Sequence, residues 1–139
     1  MTHLSWLMFM GSLSGLISVL AHAVAGSALG MLRGRATDVA VLEPSLQAPQ
    51  ALLHMFCGMG LGLMFWLSWG FAAVVDVPWW VRGLSFGAIC WVALTLPCLI
   101  STALVRPIAF KDWSAVASRW LGTCLISALA CAWGWERIF

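Results

Sequence analysis

The residues from Pro49 to Val75 form an apolar run that contains no Asp, Glu, Lys or Arg. A helix rises about 1.5 Å per residue, so about 20 apolar residues cross the hydrocarbon core of a bilayer. The run exceeds that length, and its most polar side chain is His54. Because His54, Gly58 and Gly62 recur every four residues, they share one face of the predicted helix. The run therefore predicts a transmembrane helix with a narrow face for close packing.

Three further apolar runs are of similar length. Together the four runs predict transmembrane helices at about residues 4–31, 51–75, 80–105 and 113–135. Charged residues make up 9% of the 139 residues, whereas soluble domains contain about 25%. A chain of this length cannot bury so much apolar surface in a water-soluble core. The predicted fold is therefore all-α, an integral membrane bundle of four transmembrane helices in a single domain.

Basic residues predict how these helices cross the membrane. The connections after the first and third helices carry four of them, Arg33, Arg35, Arg106 and Lys111. The other side has Arg82 and Arg137. Since connections rich in Lys and Arg stay in the cytoplasm, both termini are predicted on the periplasmic side of a bacterial inner membrane.

Small residues at helical spacing predict where the helices touch. Glycines on such stripes let two backbones approach closely, and the stripes contain Gly11, Gly15, Gly26, Gly58, Gly62, Gly83 and Gly87. In the third helix the stripe is expected to continue through Cys90, Leu94, Pro97 and Ser101. Pro97 is also predicted to kink this helix, because a proline inside a helix removes a backbone hydrogen bond.

Two histidines lie on these stripes, His22 in the first helix and His54 in the second. Both are predicted to face protein in the cytoplasmic half of the membrane. Two imidazoles from adjacent helices are the ligands that a b-type haem uses, although the predicted depths differ by about 7 Å on the helical rise. The competing interpretation is that both histidines hydrogen-bond within the packing.

A copper site is a second metal hypothesis. His54, Cys57, Met55 and Met59 are ligand types that copper accepts, but Met55 points away from the face of His54. The terminal sequence Met1-Thr2-His3 could bind Cu(II) through a free amine. Because neither set converges, no metal site is predicted, and the five cysteines are expected to be free thiols in the packing.

Several function classes are disfavoured. No Asp or Glu falls inside a predicted membrane segment, so the acidic site of a proton-coupled exporter is missing. No phosphate-binding loop or pair of nucleophile and base occurs, which argues against an enzyme. The net charge is +2 with no basic run, so nucleic acid is not an expected partner.

These observations favour a non-catalytic subunit or scaffold of a larger membrane complex. Its expected partners are the lipid bilayer and other membrane subunits or copies of the same chain. One alternative is a small-molecule or lipid transporter that uses the face of His22 and His54 and the kink at Pro97. A second alternative is a membrane subunit that binds haem b through the two histidines.

Overall fold

The computed structural model describes residues 3–32, 48–72, 76–105 and 109–138. These residues are almost all helical and include no strand. The elements in chain order are α1 (His3–Leu32), α2 (Ala48–Leu67), α3 (Trp69–Ala72), α4 (Trp79–Cys90), a π-helical turn (Trp91–Thr95), α5 (Leu96–Val105) and α6 (Phe110–Ile138).

Four stretches are long and apolar enough to cross a membrane, namely His3–Ala28, Ala48–Leu67, Trp79–Val105 and Phe110–Arg137. The third of these spans joins α4, the π turn and α5 into one helix. The prediction of an all-α chain with four helices long and apolar enough to cross a membrane is therefore confirmed. The last helix, α6, extends three residues beyond the predicted bounds, 113–135, at each end.

The second helix ends earlier than the sequence predicts. α2 stops at Leu67 rather than near residue 75, because the next residues turn in the left-handed sense. Trp69, Gly70 and Phe71 have φ angles of 51°, 61° and 54°, which glycine adopts freely and other residues adopt at a cost. Hydropathy does not reveal such a break, since the residues that make it are as apolar as the helix before them.

Two contacts hold this left-handed turn. The Ser68 hydroxyl donates to the carbonyl oxygen of Phe65 at 2.9 Å and accepts from the backbone N–H of Phe71 at 3.0 Å. Gly70 lies directly against the indole of Trp135, where an added Cβ would come within 2.7 Å of the ring. The turn is thus closed by a side chain and covered by α6.

Helices α1 and α2 pack in antiparallel contact through glycines. A Cβ on Gly58 would overlap the carbonyl oxygen of Gly11, and a Cβ on Gly11 would overlap that of Gly58. Each glycine Cα–H therefore points at a carbonyl oxygen of the other helix, a contact worth about 0.5–1 kcal/mol. Equivalent pairs lie one turn away on either side, Gly15 with His54 and Gly62 with Leu7.

Gly26 does not belong to this contact, although the sequence placed it on the same stripe. It is exposed, and an added Cβ would meet nothing within 4 Å. The register that sets Gly15 against His54 places Ala48, the first residue of α2, opposite Ala21. Beyond Ala21, α1 has no residue of α2 beside it, so the small-residue stripe of α1 extends past the end of α2.

The last helix, α6, packs against the other three spans. Gly83 of α4 lies against Leu129, and Gly87 lies against the carbonyl oxygen of Cys124. The Sγ of Cys131 donates to the carbonyl oxygen of Leu7 in α1 at 3.8 Å. The core that these contacts close consists mainly of small and aromatic side chains together with leucine, and includes Leu61, Phe65, Phe86, Cys90, Cys124, Ala128, Ala132 and Trp135.

The π turn lies directly before Pro97, where the sequence predicted a kink. The backbone N–H of Leu96 bonds to the carbonyl oxygen of Trp91, five residues earlier. A proline ring clashes with the carbonyl four residues before it, and a widened turn is one way in which membrane helices accommodate proline. One extra residue rotates the following helix by about 100° relative to the preceding one.

This rotation corrects the expected path of the small-residue stripe. Gly87 faces α6, but from there the contact passes to Trp91, whose Nε1–H donates to the carbonyl oxygen of Ala117 at 3.2 Å. It then passes to Thr95, whose hydroxyl oxygen lies 3.8 Å from the Sγ of Cys124. The expected continuation is on the exposed side of the helix instead, at Leu94, Pro97 and Ser101.

Candidate functional site

A buried polar cluster lies where α1, α2 and α6 meet, and His54 is its centre. The imidazole is 3% exposed. Its Nδ1 lies 2.7 Å from the hydroxyl oxygen of Thr123, and its ring stacks on Trp120 with the centroids 4.3 Å apart and an interplanar angle of 17°. A residue from α2 is thus fixed by two residues of α6 that lie one turn apart.

Thr123 connects three helices through one hydroxyl group. Its oxygen lies 2.9 Å from the hydroxyl oxygen of Ser18 and 3.2 Å from the carbonyl oxygen of Arg119. A carbonyl oxygen only accepts, and a hydroxyl has one proton. The arrangement that satisfies every contact has Thr123 donating to Arg119 while Ser18 and the Nδ1–H of His54 donate to Thr123. The Nε2 of His54 then carries the free lone pair.

His22 reaches the same part of α6 from α1. Its Nδ1 lies 2.9 Å from the carbonyl oxygen of Ser18, so this nitrogen must donate. Its ring rests against Gly122, where an added Cβ would lie 3.0 Å from Nε2. The structure therefore brings both predicted histidines to adjacent residues of α6, each with Nδ1 used in a hydrogen bond.

One charged side chain borders the cluster. Arg119 is half-buried one turn before Thr123, and its Nη1 donates to the Oε1 of Gln50 at 3.4 Å. No described acidic side chain pairs with it. The cluster therefore combines two imidazoles and two hydroxyls with a guanidinium at its edge, a set that donates and accepts hydrogen bonds but lacks a carboxylate.

The two histidines have the donor atoms for haem, since Nδ1 bonded to oxygen with Nε2 free is the usual state of a metal-ligating histidine. The surroundings of His54 fit a macrocycle poorly, however. Trp120 covers one face of the imidazole and the residue is almost fully buried. A haem could reach Nε2 only after this packing had opened.

The structure adds no support to the copper hypothesis. Within the described residues no group of three or more His, Cys, Asp and Glu side chains is arranged to hold a metal ion. Cys57 instead packs half-buried against the apolar core. Of the terminal set, Met1 and Thr2 lie outside the described residues.

Three members of the cluster were not singled out from the sequence as site residues. Ser18 lies four residues before His22, so the sequence places both on the same face of the first helix. Thr123 and Trp120 belong to an apolar run in which no spacing marks them. Only the packing of α6 against α2 brings Thr123 to His54, which is 69 residues away in the chain.

Comparisons with known proteins return no relative for this arrangement. No protein-family model matches the chain, and neither a curated protein nor a solved structure is significantly similar to it.

Proposed function

We propose that this protein is a non-catalytic subunit or scaffold of a larger membrane complex and that it docks through its third span, Trp79–Val105. The burial of that span supports the proposal. Only 6% of its most apolar 18-residue window is buried within the chain, compared with 39%, 28% and 39% for the first, second and fourth spans. Most of the third span is therefore available to lipid or to another protein.

The exposed face of α5 is more polar than a lipid-facing surface needs to be. Cys98, Ser101 and Thr102 are all exposed. The Thr102 hydroxyl donates to the carbonyl oxygen of Cys98 at 2.8 Å, whereas no described residue pairs with the hydroxyl of Ser101. A polar group without a partner is unfavourable in hydrocarbon, and a hydrogen bond between membrane helices is worth about 0.6–2 kcal/mol.

The π turn before Pro97 determines which way the polar face of α5 points. Without the extra residue, Leu94, Pro97 and Ser101 would continue the side of the helix that contacts α6. With it, they point outward, together with the small side chain of Cys98. A face of small residues and hydroxyls lets a second helix approach closely and gives it a donor and an acceptor. The partner we propose is therefore a transmembrane helix of another subunit or of a second copy.

Photo-crosslinking in native membranes tests this surface. A photoreactive amino acid in place of Ser101 is expected to give discrete protein adducts, whose masses separate a second copy from a different subunit. The matched control carries the same amino acid in place of Ile17, which is 48% exposed on α1. Adducts from Ser101 alone support docking through α5. Equal adducts from both positions, or none together with a lone monomer in native mass spectrometry, would refute it.

The proposal includes a location and an orientation. We place the chain in a bacterial inner membrane with both termini in the periplasm, because the basic residues gather in the connections after the first and third helices. Reporter enzymes fused after Phe139 should be active only if they function in the periplasm. Activity of a cytoplasmic reporter at that position would reverse the orientation.

Transport of a small polar molecule is the second candidate, and the buried cluster around His54 favours it. Polar side chains inside a membrane protein commonly mark a path for a substrate or ion. Flux into liposomes that is lost in His54→Gln but kept in Ser118→Ala, which removes an exposed hydroxyl of α6, would favour transport over the scaffold. Unchanged flux in both variants would exclude the cluster from any path.

A further inference from the structure

Arg82 is a half-buried cation at the start of the third span. It lies in the first turn of α4, after Pro78 and the paired Trp79 and Trp80. Four residues later on the same helix face is Phe86, whose ring packs in the buried aromatic core. The guanidinium of Arg82 therefore lies at the boundary between this core and the end of the helix.

One N–H group of the Arg82 side chain has no partner within the described chain. Its Nε is fully buried and has no partner. Two acidic residues belong to the same end of the molecule, Asp76 and Glu136, but both are exposed and neither pairs with it. The other arginine at this end, Arg137, lies over the ring of Trp133 with its Cζ 5.0 Å from the centroid. An unpaired, desolvated N–H on a charged group is unfavourable, so a ligand that accepts a hydrogen bond from it would stabilise this end of the span.

The guanidinium of Arg82 and the residues around it indicate what class of ligand it would bind. A guanidinium presents N–H groups in a planar fork that matches two oxygens of a phosphate or carboxylate. Tryptophans next to a transmembrane helix mark the level of the lipid headgroups, so lipid phosphates are available as oxyanions at the level of Arg82. The first turn of α4 contains no acidic residue and has no side-chain cap, so the positive end of the helix dipole favours an anion there.

We propose that Arg82 binds the phosphodiester of an anionic phospholipid, with Trp79 and Trp80 beside its glycerol region. The site is independent of the docking face on α5, since it lies at the opposite end of the third span. It anchors the start of that span at a fixed depth in the headgroup layer, because a bound phosphate cannot follow the guanidinium into the hydrocarbon.

Native mass spectrometry of the full chain from mixed phosphatidylglycerol and phosphatidylcholine nanodiscs tests the proposal. The wild type should retain phosphatidylglycerol preferentially, and Arg82→Gln should lower the ratio of retained phosphatidylglycerol to phosphatidylcholine by about tenfold. Arg137→Gln is the matched control, because it removes a cation from the same end that is already in contact with Trp133. It should leave the ratio within about twofold of the wild type.

Arg82→Lys keeps the experiment decisive if Arg82→Gln folds poorly. Lysine keeps the charge but loses the fork and the buried Nε–H, so it should lower the ratio by less than Gln does. A second arm adds inorganic phosphate to lipid-depleted protein and should show no specific adduct. Equal ratios for the wild type and both Arg82 variants, an equal loss in Arg137→Gln, or a specific adduct with inorganic phosphate would overturn the assignment.

Discussion

The Nδ1 of His54 lies 2.7 Å from the hydroxyl oxygen of Thr123 and joins α2 to α6 inside the buried polar cluster. Both residues are nearly inaccessible to solvent. A hydrogen bond in this position cannot be replaced by water, so each partner depends on the other. The bond therefore specifies the register in which α6 lies along α2.

Removing the Thr123 hydroxyl should loosen this register. Thr123→Val keeps the shape but leaves His54 and Ser18 without their shared partner, which should lower the free energy of unfolding by about 1–3 kcal/mol. Denaturant titration in detergent micelles measures the change. Ser118→Ala is the control, since that exposed hydroxyl of α6 bonds only to the carbonyl oxygen of Ala115. An equal loss of stability in both variants would mean that the buried Thr123 hydroxyl contributes no more than an exposed hydroxyl does.

The glycine crossing between α1 and α2 should be intolerant of a methyl group. Gly58→Ala would force the Cβ into the carbonyl oxygen of Gly11 and should destabilise the protein by about 1–3 kcal/mol. Gly60→Ala, two residues away on the exposed side with nothing within 4 Å, should be neutral or slightly stabilising because alanine favours helix. Thermal unfolding of the two variants, measured side by side, tests this difference in stability. A tolerated Gly58→Ala would show that the helices meet elsewhere.

The left-handed turn after α2 should require glycine at position 70. Gly70→Ala combines a φ of 61° with a Cβ pressed against Trp135, so the expected loss is at least about 1–2 kcal/mol from backbone conformation alone. Gly26→Ala places the same methyl group at an exposed helical site with open space and should stabilise by up to about 1 kcal/mol. If the melting temperatures of both variants rise, α2 continues past Leu67 as a helix.

Replacing Pro97 should remove the reason for the π turn. In Pro97→Ala a regular helix can form through residues 91–97, which would rotate α5 by about 100° and turn Cys98 toward α6. Labelling of Cys98 by a lipid-soluble maleimide should then slow several-fold, because Cys98 is the one exposed cysteine among the five. Pro78→Ala, at the start of α4, should leave the labelling rate unchanged. An unchanged rate in Pro97→Ala would mean that the π turn is maintained by packing rather than by proline.

Particular residues separate what the sequence indicates from what it leaves open. The stripe of Gly11, Gly15, Gly58 and Gly62 predicts a close helix contact because glycine spacing is a local property. The same spacing misplaces Gly26 and Ser101, since a stripe does not record where the neighbouring helix begins or whether one extra residue rotates the chain. The apolar pattern also fails to reveal the left-handed turn at Gly70. Trp69 and Phe71 are as apolar as the helix before them, although their backbone is in the left-handed conformation.

The sequence by itself determined that the chain is helical and has four segments long and apolar enough to cross a membrane. The bilayer acts on each segment separately through hydropathy and length, so no tertiary contact is needed to read the spans. Only the tertiary structure decided that His54 meets Thr123, that the hydroxyl face of α5 points outward and that the Nε of Arg82 has no partner within the described chain. Those relationships depend on how distant helices pack against one another, and no local pattern encodes that packing.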